Sequence, residues 1–377
     1  MKLLSARMQN FKSLEDVTLN FCDLTMIVGA NATGKSNCLE VLKLFQSITK
    51  TNLPSALTSV DNLLKDPTKP LKLSFCLEAE SKSLEYQFIV SQNSDQSFSL
   101  TEKLQIENQT IIEVMNNQGF VMDEDGQNKQ SYHSNESILA LKTAGYFGNK
   151  PLTLKLSDFI KSWQFYDFEP SLLRGRALAL ERTIDTNGEY FEDILFFYSQ
   201  VHPEIFNNIN QELKWCLDIS LVRNTQGQSP KIFVQEGSQK LSLNSVSDGT
   251  LRIIGYCTLL YHPNLAPLVG IEEPERNLHP AVLMNVATIL TKLSQRTQVI
   301  LTTHSSQLLD CFTTEDLAED ISILLLSKPD DHGTQVFQLE KLRLEQESLA
   351  DWMENFGIGS AVYHSNLLEG VLQAQYA

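Results

Sequence analysis

The sequence has no run of about 18 consecutive apolar residues, so no transmembrane helix is expected. Its first residues, Met1-Lys2-Leu3-Leu4-Ser5-Ala6-Arg7, lack the long apolar region of a signal peptide. The six cysteines (Cys22, Cys38, Cys76, Cys216, Cys257 and Cys311) are scattered and form no C-x-x-C pair. That spacing suits a reducing cytosol, gives no metal site, and reads all six as small buried hydrophobes. A cytoplasmic protein with no membrane contact is the expectation. Positive charge is also scarce: 30 Lys and Arg stand against 46 Asp and Glu, a formal net charge of −16. A free-standing nucleic-acid binder usually shows a basic footprint, and this chain as a whole repels phosphate. Nucleic acid is therefore not supported by net charge, although a local basic groove or a DNA-binding partner stays open. There is no internal repeat, and no heptad pattern is sustained over several turns, which excludes a long coiled-coil arm.

What is present begins with one stretch, Gly29-Ala30-Asn31-Ala32-Thr33-Gly34-Lys35-Ser36, followed by Asn37. It fits the phosphate-loop pattern G-x-x-x-x-G-K-[ST] at every fixed position. Gly29 and Gly34 let the backbone turn tightly, so that its N–H groups point inward at phosphate oxygens. Lys35 reaches the β- and γ-phosphates, and the Ser36 hydroxyl is a ligand for Mg²⁺. The flanks agree. Leu24 to Val28 is an apolar run that reads as a buried strand, and Leu39, Leu42 and Phe45 recur at helical spacing, placing the loop at a helix N-terminus.

With 377 residues, 42% of them apolar, the chain has room for about two or three domains and an ordinary core. Residues 1–28 read as a short β-unit whose turn, Asn10-Phe11-Lys12-Ser13, is either a bland turn with one buried aromatic or a loop that brings Lys12 to the nucleotide. Thr51 to Pro70 reads as a loop or a frayed element. Clean alternation in Leu71–Leu77, Leu84–Val90 and Phe98–Ile106 predicts antiparallel strands with one wet face. Asn116 to Asn135 reads as a solvated loop; its Asp123-Glu124-Asp125 cluster lacks the ligand spacing of a calcium loop. Residues 136–235 read as an inserted, mostly helical subdomain, with helices at Glu189–Gln200 and Pro203–Leu217 and His202 at the surface. Arg174, Arg176 and Arg182 form one basic patch, either paired with Glu169 and Glu181 or contacting nucleic acid or a partner. After a hairpin at Lys231–Val234 and Lys240–Leu243, helices and strands alternate to the strand Ile321–Leu326, which implies a largely parallel, helix-covered sheet. The expected division is 1–135, 136–235 and 236–377.

A second constellation lies in that last part. The strand ending Leu268-Val269-Gly270-Ile271 runs into Glu272-Glu273-Pro274-Glu275. In a phosphate-loop protein a carboxylate at such a strand end holds Mg²⁺, directly or through water, and Glu272 takes that position. Glu273 projects differently and is placed to polarise an attacking water. Glu275 reads as structural. His304, in Thr302-Thr303-His304-Ser305, is either a γ-phosphate sensor or a structural histidine. Ser247-Asp248-Gly249-Thr250 opens a helix, as a plain N-cap or as an anion-binding terminus aimed at another subunit's phosphate.

An N-F-K-S turn, a G-x-N-x-x-G-K-S-N loop, an S-D-G-T signature, an E-E-P-E strand end with a following L-H-P, and a T-T-H-S switch occur here in that order. The set resembles the ABC-type ATPases of the SMC, RecF and OLD group, most closely the AAA-21 class, over the two ends of the chain. The resemblance implies an α/β fold, a P-loop NTPase with an ABC-ATPase-like head: a mixed sheet flanked by helices, an antiparallel β-subdomain and the inserted helical region. It implies ATP and Mg²⁺ as cofactors, with Ser36 and Glu272 on the metal, Lys35 on the phosphates, Glu273 on the hydrolytic water, His304 as the switch and Lys12 near the nucleotide. Ser247 and Gly249 would reach the γ-phosphate of a second protomer, beside Asn277 and Leu278, so that two chains pair head-to-tail as a homodimer around ATP. Three departures stand out: Glu272 replaces the Asp of transporters, Asp248 stands where many relatives have Gly, and the glutamine of the lobe-connecting loop has only Gln87 and Gln164 as candidates. Relatives with a nuclease carry a Toprim domain after the ATPase; Ser306 to Ala377 is too short for that. The function implied is an ATPase switch in anti-phage defence or DNA repair, with a separately encoded effector (nuclease or toxin) docking on a surface such as Leu349–Gly370. The alternative is a slowly hydrolysing, ATP-gated scaffold that restrains a toxic partner.

Overall fold

The structure, a computed structural model, describes residues 1–57, 63–92, 98–133, 138–174, 183–224, 231–318, 321–328 and 333–363. The chain forms two compact units, Met1–Trp163 with Ser322–Lys341, and Gln164–Ile321 with Leu342–Ala377.

The first unit is built on an eight-stranded antiparallel sheet in the order Leu14–Asn20, Lys2–Phe11, Leu71–Ala79, Lys82–Gln92, Phe98–Ile106, Gln109–Met115, Gln118–Val121, Gln130–His133. Alternation along Leu71–Ala79 puts Leu71, Leu73, Phe75 and Leu77 inside, as the period of two requires. Register then pairs Phe75 with Tyr86 and Leu73 with Phe88. This aromatic face receives the helix Lys35–Lys50, because Phe45 stacks on Phe75 at 4.5 Å, Phe88 at 5.1 Å and Tyr86 at 5.6 Å between ring centroids. Burying such a side chain stabilises the fold by roughly 1.5–3 kcal/mol, and here it also fixes where the phosphate-loop helix lies. The wholly buried strand Leu24–Gly29 leads into that helix. Beside it the unit is completed by Ile321–Ser327, paired antiparallel with Gln335–Gln338.

Asn116 to Asn135 departs from expectation. It carries two of the eight strands, and its first acid is not solvated. Asp123 is 2% exposed and accepts from Lys150 Nζ at 2.8 Å, Asn128 Nδ2 at 2.7 Å and Asn149 N at 3.0 Å. The Lys150 ammonium, with those amides, holds its carboxyl down at about 2. Glu124 caps the helix Pro151–Lys161 by accepting from Thr153 N at 2.8 Å; Asp125 alone of the three is exposed. Local polarity suggested a loop, whereas Lys150 supplies the missing partner from a distant turn. The cysteines divide as well: Cys38, Cys216 and Cys257 are buried, Cys22 and Cys311 are half-buried, and Cys76 is exposed on the wet face of its strand.

In the second unit three strands run parallel in the order Gln164–Tyr166, Leu268–Glu272, Gln298–Thr303. Flanking them are the helices Asp248–Leu260 and Leu283–Ser294. A small antiparallel sheet joins Ile219–Asn224, Lys231–Glu236 and Gln239–Ser242, so the expected hairpin gains a third strand. The helices Phe191–Val201 and Pro203–Leu217 fall where periodicity put them, and His202 is half-buried, 3.3 Å from Glu204. Glu169 accepts from Ser171 Oγ at 2.6 Å. Arg176, Glu181, Arg182 and the stretch beyond Tyr363 lie outside the described residues.

Near the chain's end, the helix Ile358–Tyr363 docks on Ser306–Leu309, just past His304, and Glu347–Phe356 packs against Ile358–Tyr363. Asp310 accepts from Gly359 N at 2.7 Å. A Cβ on Gly359 would lie 1.9 Å from Ser306 O. Gly359→Ala is therefore expected to cost about 1–3 kcal/mol, read as a fall of several degrees in Tm in a thermal melt; an unchanged Tm would mean that the close approach does not exist in solution.

Candidate active site

In the first unit the phosphate loop folds on itself. Ala32 and Gly34 take positive φ, 65° and 105°. At Gly34 a Cβ would meet Ser13 Oγ at 2.6 Å and Thr334 Oγ1 at 2.7 Å, so both conformation and space require glycine. Lys35 is buried and its ammonium donates to Gly29 O at 2.8 Å and Ala30 O at 2.9 Å. Thr33 Oγ1 donates to Ala30 O at 2.9 Å. Asn31, Ala32 and Ser36 are exposed, and the helix beginning at Lys35 has no side-chain cap on its N-terminus. Asn37 donates its amide to Ser13 Oγ at 2.8 Å. Lys12 has φ 47° and its ammonium lies 2.5 Å from Glu40 Oε1 on the loop's own helix; beside it Phe11 is fully buried.

Two residues here escaped sequence reasoning. Thr334 Oγ1 lies 2.8 Å from Thr33 O and 3.0 Å from Ser13 Oγ, and Thr334 N donates to Ser13 O at 3.1 Å, clamping the loop from behind. Asn10 pins the segment at Asp66–Lys69, accepting from Asp66 N at 2.7 Å and donating to Lys69 O at 2.7 Å. Thr334 carries no local signal, being hundreds of residues from the loop, and Asn10 is legible only as part of the N-F-K-S turn, with nothing to say that its amide holds a distant segment.

In the second unit the parallel register pairs Glu272 with Thr302. Both strands thus end at one edge, the edge at which α/β folds place ligands. Glu273 follows in the left-handed region, φ 43°, with its N–H on Thr302 O at 3.0 Å. An L-residue held there costs about 1–2 kcal/mol, and such outliers concentrate at functional sites. Glu273 Oε1 lies 3.1 Å from His304 Nδ1, while Arg276 Nε stands 3.9 Å from Oε2. Glu275 is 9% exposed and reaches the end of the neighbouring strand: its Oε1 accepts from Thr303 Oγ1 at 2.7 Å and His304 N at 3.3 Å. Its role is to hold His304, in line with the structural reading.

Ser247 is an N-cap, its Oγ accepting from Thr250 N at 3.1 Å. A Cβ on Gly249 would lie 2.8 Å from Asn277 O, so the signature helix starts directly on the loop after the acids. Asp248 pairs with Arg174 at 2.6 Å, and Arg174 also donates to Val246 O at 2.7 Å. That pairing gives Arg174 a partner the sequence did not suggest, while Glu181 lies outside the described residues. Of the two glutamines, Gln87 sits mid-strand, with its amide on Ser74 Oγ at 3.2 Å, away from any strand end. Gln164 opens the strand at which the chain passes into the second unit.

The residues fit ATP and Mg²⁺. An uncapped helix N-terminus behind a glycine cradle suits a phosphate. Among the described residues no group of three or more His, Cys, Asp or Glu forms a metal cage, and Mg²⁺ characteristically takes only one or two protein oxygens beside phosphate and water, a kind of ligand that the exposed Ser36 hydroxyl offers in the first unit. Among the described residues no helix is long and apolar enough to cross a membrane.

Fold and motifs together define a P-loop ATPase with an ABC-type head of the SMC and RecF class. Within that class, the chain belongs to the AAA-21 family (AAA domain, putative AbiEii toxin, Type IV TA system), whose family model matches residues 24–310. A relative from Helicobacter pylori, an ATP/GTP phosphatase, is 23% identical over 365 residues, covering 87% of this chain and 93% of its own. Among solved structures, the SMC head bound to the C-winged helix domain of ScpA superposes at TM-score 0.56 and 13% identity, over 91% of this chain and 99% of that one. An Smc head domain with an extended coiled coil, bound to the C-terminal domain of ScpA derived from Pyrococcus furiosus, gives TM-score 0.54 and 13% identity, over 93% and 99%.

Proposed function

We propose that this ATPase is a molecular switch in which two copies pair head-to-tail around ATP and Mg²⁺ and separate on hydrolysis. The observation that carries the reading is the Glu273–His304 hydrogen bond at 3.1 Å, at the end of a strand whose last residue is a second carboxylate. Lys35 and the loop N–H groups of Asn31 to Asn37 hold the phosphates, with Lys12 beside the nucleotide. Ser36 and Glu272 hold Mg²⁺, which when bound neutralises phosphate charge. Glu273 takes the proton of the attacking water, and His304 keeps its carboxylate oriented. Ser247 and Gly249 offer the N-terminus of Asp248–Leu260 to the partner's γ-phosphate, so one chain leaves each site half built. The setting we infer is anti-phage defence or DNA repair with a separately encoded nuclease or toxin as effector; the family's description as a Type IV TA system supports defence.

Mass photometry of the full chain tests the pairing. The 42.6 kDa species is expected to shift to twice that mass with ATP and Mg²⁺, and Ser247→Arg is expected to abolish the shift while nucleotide binding persists. Equal mass with and without ATP, under conditions where nucleotide is bound, would refute head-to-tail pairing.

A further inference from the structure

The helix that begins at the signature motif carries an arginine one turn in, Arg252, that is only 2% exposed. Among the described residues its Nε and Nη1 have no hydrogen-bond partner, and its Nη2 stands 3.9 Å from Asp167 Oδ1. Two more buried atoms form no close hydrogen bond among the described residues, Glu275 Oε2 and Tyr256 Oη, the latter on the same helix and within electrostatic reach of the guanidinium. A buried guanidinium with one distant counter-charge is poor stabilisation; a well-packed apolar side chain of similar volume does as well or better. Packing therefore does not account for Arg252.

Position does. Asp167 Oδ1 is also bound by Arg276 Nη2, at 2.5 Å. Arg276 Nε stands 3.9 Å from Glu273 Oε2, and Glu273 Oε1 lies 3.1 Å from His304. Charges thus alternate in one unbroken file from the signature helix to the catalytic strand end: Arg252, Asp167, Arg276, Glu273. Asp167 thus stands between two arginines, in short contact with Arg276 and 3.9 Å from Arg252. We propose that Arg252 is a positioning residue that couples the signature helix to Glu273 through Asp167 and Arg276. When the helix shifts against a partner's nucleotide, Arg252 draws Asp167 from Arg276, and Arg276 is released to reset the Glu273 carboxylate. No bond is made or broken; the step exchanges ion-pair partners.

The coupling rests on the reading of Glu273 given above, so two readouts are needed. In steady-state hydrolysis by the full chain, Arg252→Met and Asp167→Asn are each expected to lower kcat by about tenfold or more, with KM for ATP within about twofold. The double variant should fall no further than either single one, and Arg252→Lys should recover part of the loss because the charge is kept. Without nucleotide, amide hydrogen exchange across Glu273–Leu278 should be at least about fivefold faster in Arg252→Met than in the parent, while Asp248–Leu260 stays protected. Asp167 is half-exposed, so its variant keeps the test open if burial makes Arg252→Met fold poorly. Unchanged exchange in that loop, in Asp167→Asn as well, overturns the coupling whatever the turnover. Losses of kcat that are additive, or that track a lowered Tm, reduce Arg252 to a structural residue and also overturn it. A parent that does not hydrolyse ATP, or whose rate survives Glu273→Gln, refutes the catalytic reading instead, and the exchange result then decides the coupling alone.

Discussion

Glu273→Gln is expected to lower ATP turnover by about 10²–10⁴-fold, the range lost when a positioned general base is removed, and to leave nucleotide bound. The substitution is close to isosteric. Glutamine keeps a carbonyl oxygen within reach of His304 and changes nothing in the backbone, where φ 43° and the N–H bond to Thr302 O are set by main-chain geometry. What disappears is basicity. With chemistry blocked and binding intact, the ATP-bound pair should accumulate, so a stable double-mass species and a collapsed rate should appear in the same variant. His304→Ala should cost less, because it unseats the carboxylate without removing it. If Glu273→Gln hydrolyses at the parental rate, the base lies elsewhere, and Glu272 and Glu275 become the groups to examine. Glu275 is a poor substitute on geometry: it is buried and its Oε1 is occupied by Thr303 and His304.

The parts legible in the sequence are those in which one short segment carries the whole chemical requirement. Gly29 to Ser36 announces a phosphate loop because each residue's task is met within eight positions. The acids after Ile271 and the histidine after Thr303 are legible as strand ends, since an apolar run followed by polar residues marks both the strand and its edge. The alternating strands of the first unit were legible for the same reason. Interactions that join distant segments were not. Asp123 looked solvated until Lys150, 27 positions on, proved to lie against it. Arg174 looked like a surface charge until Asp248 and the Val246 carbonyl took it. Thr334 and Asn10 buttress the site by hydrogen bonds whose partners no periodicity predicts, and nothing local says that Arg252, in the largely apolar run Leu251–Leu260, stands near Asp167.

Lys35→Ala is expected to weaken ATP binding by about 10²–10⁴-fold, the effect of losing two charge-assisted hydrogen bonds of roughly 1.5–3 kcal/mol each. The free protein supplies a competing effect. Lys35 donates to Gly29 O and Ala30 O, so its removal also frees the loop's entry, and a loosened loop would weaken binding without any lost contact to phosphate. The two causes separate by probe. Loss of phosphate contacts should scale with phosphate number, leaving adenosine binding nearly unchanged and ADP less affected than ATP; a disordered loop should weaken all three alike. Thr334→Val provides the counterpart. It keeps Lys35 but removes the hydroxyl beside Thr33 O and Ser13 Oγ, so it reports on loop order alone. Fluorescence titration of the two variants with the three ligands, read beside their melting temperatures, decides between them. If Lys35→Ala binds ATP as tightly as the parent does, the loop does not act as a phosphate site, and the catalytic reading of Glu273 loses its substrate.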